Sequence, residues 1–196
     1  MPKIFRFTAL RVSFAVTALL AGCVTPVPAP RTTVDPNTGV SLIVADEPLV
    51  LARERRDVAA QARDYLTLVA AEIDEAGHRR LILAAHQWST IDSRTADVRP
   101  AAGAELLLVA DGRDFRLVPL AGPFVDEYAR NPALARPEDA EVVTTLYQAD
   151  PDMLGYIAAS HSLSASFPKS FALPFALWKD GRPALRRFLR ETSGLD

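Results

Sequence analysis

The sequence predicts an α+β domain that is mainly antiparallel β, sandwich-like in its arrangement of strands, with two short helices near the C-terminus. Short apolar or alternating runs recur between turn signals, which is typical of antiparallel strands. One pair of runs is separated by Asp111-Gly112, and this dipeptide is a strong hairpin signal. Unambiguous helical spacing is confined to the segments after Asp150 and Pro183. Runs of strands followed by helices indicate α+β rather than α/β.

The predicted elements begin after a turn signal at 35–39, where Asp, Pro, Asn and Gly are concentrated. Strands are predicted at 40–44, 48–51, 65–74, 81–89, 105–110, 115–120, 141–148, 163–167 and 171–177. The segment 122–137 contains three prolines and is predicted to be a loop.

Two helices are predicted near the end of the chain. Asp150 can cap the free amides of the first, and Pro151 fits its first turn, where no amide donor is needed. The second is predicted from Pro183, with apolar residues inward and arginines outward. The inward residues are Leu185, Phe188 and Leu189, and the outward ones are Arg186, Arg187 and Arg190. These arginines are expected to face water, with contact to lipid headgroups as the alternative.

The stretch from Val58 to Ile73 fits two structures. Its apolar residues fall at helical spacing, yet alternate residues from Tyr65 to Ile73 also share one face of a strand. The alanines favour a helix, whereas the turn signal at 75–78 favours a hairpin. We predict the hairpin, in which 65–74 pairs with 81–89.

The N-terminus carries an export signal. Lys3, Arg6 and Arg11 accompany an apolar stretch that is too short to span a bilayer, which takes about 20 apolar residues. Leu20-Ala21-Gly22-Cys23 follows, with an aliphatic residue, two small residues and the only cysteine of the chain. This pattern resembles the lipobox of bacterial lipoproteins. The resemblance implies lipidation of Cys23, and an incidental cysteine in an ordinary signal peptide is the alternative.

The resemblance divides the chain into a signal peptide (1–22), a lipidated cysteine with a proline-rich tether (23–37) and one globular β-rich domain (38–196). Alternating prolines favour an extended polyproline II tether, and a proline-rich binding motif is the alternative. The layout is similar to that of uncharacterised Gram-negative envelope lipoproteins. Val24 is not the aspartate that retains enteric-type lipoproteins at the inner membrane. The resemblance therefore implies the outer membrane, with the domain facing the periplasm.

Charge and motif content exclude several functions. Removal of 22 residues would leave 174 with a formal charge of −5, because three basic residues lie in the removed part. A mildly acidic domain is a poor candidate for binding nucleic acid. The three histidines, His78, His86 and His161, lack metal-ligand spacing, so no metal or cofactor is expected. His78 is expected to be solvated, and His86 to be partly buried with a hydrogen-bond partner.

Catalytic motifs are equally weak. Ser160 and His161 are neighbours on a predicted strand, where adjacent side chains point to opposite faces and cannot pair as nucleophile and base. Neither Asp35–Gly39 nor Asp150–Asp152 has the spacing of an EF-hand calcium loop, and turn or cap roles explain both.

The predicted function is that of a non-enzymatic envelope component which binds an unidentified partner protein. The alternatives are a carrier of lipids or other hydrophobic ligands and a wall or glycan hydrolase. In the carrier, Phe167, Phe171, Phe175 and Trp178 would line a groove, although this spacing favours the core. The mixed charges of Arg53–Asp57 indicate a solvated segment, with a docking patch as the alternative.

Overall fold

The computed structural model describes residues 27–36, 38–90, 103–134, 137, 141–169 and 173–193. The strands within them are β1 (Arg31–Val34), β2 (Ser41–Val44), β3 (Leu49–Glu54), β4 (Arg63–Glu75), β5 (His78–Ser89), β6 (Leu106–Ala110), β7 (Arg113–Leu117), β8 (Val143–Gln148), β9 (Leu163–Ser166) and β10 (Phe175–Lys179). The helices are α1 (Pro123–Tyr128), α2 (Pro151–Ala159) and α3 (Arg182–Ser193).

The strands pair antiparallel into one ten-stranded sheet. The long strand β4 lies at the centre of these pairings. Along one of its edges it pairs with β2 and β3, one after the other, and along its other edge it pairs with β5. From β3 the sheet continues through β10, β9 and β6 to β7. Beyond β7, Pro119 forms a bridge with Tyr147 of β8, so the sheet curls back on itself. The α+β class and the antiparallel pairing are confirmed, whereas a sandwich of two sheets is not.

The predicted hairpin of β4 and β5 is confirmed, with Asp74 opposite Arg79 and a turn at Ala76-Gly77. Its strands are buried on both faces, which explains their ambiguous pattern. Leu66 and Leu68 point into one core, whereas Val69 and Ile73 point into another. A strand covered on both sides has no polar face, so its sequence lacks the usual alternation.

The first core lies between the inner face of the sheet and the two predicted helices, α2 and α3, which are both confirmed. Asp150 caps α2 as expected, since its Oδ1 accepts hydrogen bonds from the backbone amides of Asp152 (2.8 Å) and Met153 (3.1 Å). The helices bury a shared apolar surface against the sheet. Its largest members are Met153, Leu154, Ile157, Leu185 and Phe188.

The second core covers the opposite face of the sheet, over β2, β4, β5 and β8. It is closed by α1 and the segment around it, including Tyr128 and Leu134. A loop was predicted for 122–137, so α1 is an addition to the expected elements. It begins at Pro123, because proline is tolerated in the first helical turn, where its missing amide donor costs nothing.

The hairpin of β6 and β7 is confirmed with a tighter turn than predicted. Asp111 and Gly112 have φ values of 44° and 80°, so both lie in the left-handed region that a two-residue type I′ turn requires. Ala110 therefore pairs directly with Arg113. The predicted connection of four residues is reduced to two, and the second strand ends at Leu117.

Part of the proline-rich segment lies on the domain. The exposed strand β1 pairs with β2, and Arg31 forms an ion pair of 3.1 Å with Asp46. Upstream of β1, the carbonyl of Val27 accepts a hydrogen bond from Arg187 of α3. The predicted signal peptide (1–22) and Cys23 lie outside the described residues. In the described part of the chain, no helix is long and apolar enough to cross a membrane.

Candidate binding groove

An aromatic cluster lies on the outer face of the sheet, at the end where β4 begins. Tyr65 and Trp88 are direct partners in the β4–β5 register, and their rings stack at 4.2 Å with an interplanar angle of 11°. Trp178 of β10 meets Tyr65 edge to face at 6.3 Å. The indole of Trp88 also donates to Thr67 (3.1 Å). Two of the three rings are therefore fixed, and the third is placed beside them.

Trp178 is the exposed member of this cluster. Phe175 points into the first core, and alternation along β10 turns Ala176 and Trp178 outward. The Trp178 residue is 57% exposed, and the guanidinium of Arg63 lies 4.6 Å from its ring centroid. A cation over an indole face is an attractive contact, so Arg63 helps to hold an otherwise solvated side chain in place.

A groove lies beside Trp178, lined by residues of the paired strands β3 and β10 and of the segments next to them, with a volume of about 640 Å³. We call it the aromatic groove. Its wall at the start of β10 includes Leu173, which is 74% exposed. Its lining is Ala52, Arg53, Glu54, Arg56, Asp57, Arg63, Leu173, Pro174, Ala176, Leu177 and Trp178.

The charged run Arg53–Asp57 has two environments, which corrects the prediction of a uniformly solvated segment. Arg53 and Arg55 are buried, because both donate to the carboxylate of Asp64 at 2.8–3.3 Å. Arg56 is exposed and pairs with Glu54 at 2.6 Å beside the groove. The sequence pattern did not reveal this difference, because alternate residues of a charged run look alike until the strand faces are known.

Asp64 anchors the buried end of this network. Burial alone would raise its pKa, but hydrogen bonds from Arg53 and Ser89, with the Arg53 charge, outweigh burial and lower the pKa. Arg53 also lies over the ring of Phe175 at 4.5 Å and donates to the carbonyl of Leu173 at 3.5 Å. The network therefore connects the first core to the groove wall.

The predicted candidates for chemistry lie apart from this groove. His86 is buried, and its Nδ1 lies 3.0 Å from the Thr144 hydroxyl, as expected for a core histidine with a partner. His78 is exposed, as predicted. In the described part of the chain, no group of three or more His, Cys, Asp or Glu could hold a metal ion.

Ser160 and His161 do not pair, although the reason differs from the predicted one. They lie in the connection between α2 and β9, not on a strand. The Ser160 hydroxyl donates to the Ile157 carbonyl at 2.8 Å and is thus a helix cap. The exposed His161 ring lies 3.4 Å from the carboxylate of Asp111. That carboxylate also accepts hydrogen bonds from the backbone amides of His161 and Ser162. These hydrogen bonds lower the pKa of Asp111. They also hold the β6–β7 turn against the connection between α2 and β9.

The aromatic residues proposed for a carrier are divided between core and surface. Phe167 and Phe175 pack edge to face at 6.2 Å inside the first core, and Trp178 alone reaches the groove. Phe171 lies outside the described residues. Tyr65, Trp88 and Arg63 were not predicted as site residues. The hairpin register could have identified the first two, since pairing Asp74 with Arg79 puts Tyr65 opposite Trp88.

Comparison with known proteins gives no matching family model, no matching curated protein and no matching solved structure. The function is therefore inferred from the chemistry of this chain's own residues.

Proposed function

We propose that this protein is a lipid-anchored envelope lipoprotein whose domain binds a partner protein through the aromatic groove, without catalysing a reaction. The lipobox motif at Cys23 supports the anchor. The single observation that supports the groove as the binding site is the exposed Trp178, held between Arg63 and Tyr65. Tryptophan, tyrosine and arginine are the residues that most often dominate binding energy in protein interfaces.

The groove suits a protein segment because it combines an apolar floor with a rim of both charge signs. Ala176 and the exposed Leu173 supply apolar contact, while Arg56 and Glu54 supply charged groups within reach of a bound backbone or side chain. Interfaces of this composition have a buried apolar centre and a polar rim. A partner that covers Trp178 would remove its exposed indole from water, which favours binding.

A carrier that enclosed its ligand would need an apolar space inside the domain, and the inner face of the sheet offers little support for one. Its concave side is packed with side chains of α2 and α3, including Phe188, which is fully buried. A void beside Leu185 has a volume of only about 10 Å³. Native mass spectrometry of the purified protein tests this alternative, since co-purified lipid at stoichiometric amounts would favour the carrier.

A hydrolase would need a carboxylic acid and a carboxylate in separate protonation states. The carboxylates of this groove, Glu54 and Asp57, are each held by an arginine, Arg56 and Arg55 respectively. The hydrogen bond from Arg55 lowers the pKa of Asp57. This arrangement disfavours a general acid, which supports the assignment as a binding protein.

Site-specific photo-crosslinking in cells tests the groove. A photoreactive residue at Leu173 is expected to form a discrete protein adduct, whereas one at Val118, which is 72% exposed outside the groove, is not. Trp178→Ala should abolish the Leu173 adduct, because loss of an interface hot spot lowers affinity by about 30-fold or more. The matched control is Tyr156→Ala, an exposed aromatic residue on α2, which should leave the adduct unchanged.

Adduct formation that survives Trp178→Ala, or that is equal at Leu173 and Val118, would contradict the proposal. Circular dichroism of Trp178→Ala distinguishes loss of binding from loss of fold.

A further inference from the structure

We propose that the lipid on Cys23 holds the α3 side of the domain against the membrane, with the exposed arginines of α3 facing the phosphates of lipid headgroups. This inference rests on the anchoring part of the proposed function and is independent of the partner at the groove.

The first observation is the short stretch of chain between Cys23 and Val27, which is the first described residue and contacts α3. Val27 is bound to Arg187 of α3, and the strand β1 that follows is paired to β2. Three residues, 24–26, separate Val27 from Cys23, so these two Cα atoms can be at most about 14 Å apart. A domain of this size is roughly 40 Å across. A lipid on Cys23 therefore brings the surface around Val27 and α3 to the bilayer and keeps the opposite surface away from it.

The second observation is the difference in net charge between α3 and the rest of the domain. The helix α3 contains four arginines and one glutamate, a net charge of +3, although the chain from Cys23 onward has a net charge of −5. The rest of that chain therefore carries −8, so α3 is a positively charged element of an acidic domain, although Arg182 is paired with Asp180 just before the helix. Guanidinium groups bind phosphate well, and anionic headgroups attract basic residues close to the surface.

The arginines of α3 have separate tasks. Arg182 and Arg186 donate to the carbonyls of Ser160 and Ala158, which lie at the C-terminal end of α2. These bonds fix α3 against α2, so α3 presents a rigid surface. Arg190 lies one turn beyond Arg186 and is exposed, which places its guanidinium group at the surface of the helix.

Fluorescence quenching in nanodiscs tests the orientation with the full lipidated protein. Cys23 is the only native cysteine, and its sulfur is occupied by the lipid, so one introduced cysteine can be labelled selectively. Labels go to Glu191→Cys on α3 and to Asp114→Cys on β7, in discs of phosphatidylglycerol and phosphatidylcholine with a headgroup-bound nitroxide. Leu117 of β7 points into the first core. Because successive side chains of a strand point to opposite faces, Asp114 lies on the face of the sheet away from the helices.

Quenching severalfold stronger at 191 than at 114 is the expected result. Equal quenching, or stronger quenching at 114, overturns the orientation. Adding Arg190→Glu to the protein labelled at 191 should weaken quenching, since each arginine near an anionic surface strengthens association about fivefold. The matched reversal Arg116→Glu should not change it, and quenching at 191 that is unaffected by Arg190→Glu overturns the role of the arginines.

Fractionation of Cys23→Ser separates this inference from the anchor it depends on. Release of that variant from membranes, together with equal quenching at both labels in the lipidated protein, would overturn the orientation and leave the anchor standing. Retention of the variant in membranes would overturn both.

Discussion

Asp64 lies at the end of the first core, where three side chains donate hydrogen bonds to its carboxylate. Arg53 donates twice, at 2.8 and 3.0 Å, Arg55 donates at 3.3 Å, and the Ser89 hydroxyl donates at 2.8 Å. The side chains of Arg53 and Asp64 are 4% and 7% exposed. Two guanidinium groups thus enter a largely apolar environment, where Asp64 compensates the charge of Arg53 and shares Arg55 with Asp57, which lies 3.1 Å from it.

Replacing this carboxylate should be strongly destabilising. We expect Asp64→Ala to lower the free energy of unfolding by about 3–5 kcal/mol, because Arg53 would stay buried after losing its carboxylate partner, while Arg55 would keep only the exposed Asp57. Urea denaturation followed by circular dichroism measures the change. Glu105→Gln is the control, since its ion pair with Arg116 is largely exposed and should contribute less than about 1 kcal/mol. A loss for Asp64→Ala no larger than that of the control would contradict the assignment.

The same network predicts a pH dependence. The pKa of Asp64 is lower in the folded protein than its ordinary value of 3.8. Its contribution is therefore fully present above that value and is lost as the pH falls through the lower, folded-state pKa. We expect the stability difference between the wild type and Asp64→Asn to be constant near neutral pH and to shrink below about pH 4. A difference that shrinks instead at alkaline pH would exclude this linkage.

At the scale of elements, two glycines should respond in opposite directions. Gly112 has a φ of 80° in the β6–β7 turn, and we expect Gly112→Val to destabilise the protein by about 1–2 kcal/mol, because a side chain makes this conformation costly. Gly155 lies within α2, and a Cβ there would meet no atom within 4 Å. Gly155→Ala should stabilise by about 0.5–1 kcal/mol. Thermal denaturation of both variants checks the signs, and equal signs would refute the interpretation.

At the scale of the whole molecule, the proposed lipid anchor would determine where the domain works. Cys23→Ser should move the protein from the membrane to the soluble fraction, because the lipid is proposed as its membrane attachment. Fractionation with a high-salt wash measures this. Persistence of the serine variant in the salt-washed membranes would show a second attachment.

Under the proposed lipidation of Cys23, the residue that follows it, Val24, would decide in which membrane the protein resides. If the host follows enteric-type sorting, the wild type should co-fractionate with outer-membrane markers on a sucrose gradient, and Val24→Asp should shift it to the inner membrane. Leucine at the same position is the matched control, because it preserves the apolar character. Wild-type protein found with inner-membrane markers would refute the assignment.

The features that the sequence determined by itself are local ones. Asp111-Gly112 defines a turn because few residues tolerate left-handed backbone angles, and Asp150-Pro151 defines a helix start because the cap and the proline act within one turn. Their energies depend on three or four neighbouring residues. The hairpin of β4 and β5 was predictable for the same reason, once its turn was weighed against its alanines.

The tertiary structure alone decided which side of each strand is covered. Arg53 and Arg56 belong to one charged run, yet the first lies on β3 and is buried against Asp64, whereas the second lies in the turn after β3 and is exposed. Trp178 and Tyr65 are 113 positions apart and meet because β3 pairs with both of their strands. The arrangement of the strands in a single curled sheet likewise results from pairing between strands that are distant in sequence. Burial depends on contacts between distant segments, and a local pattern contains no information about which segments will meet.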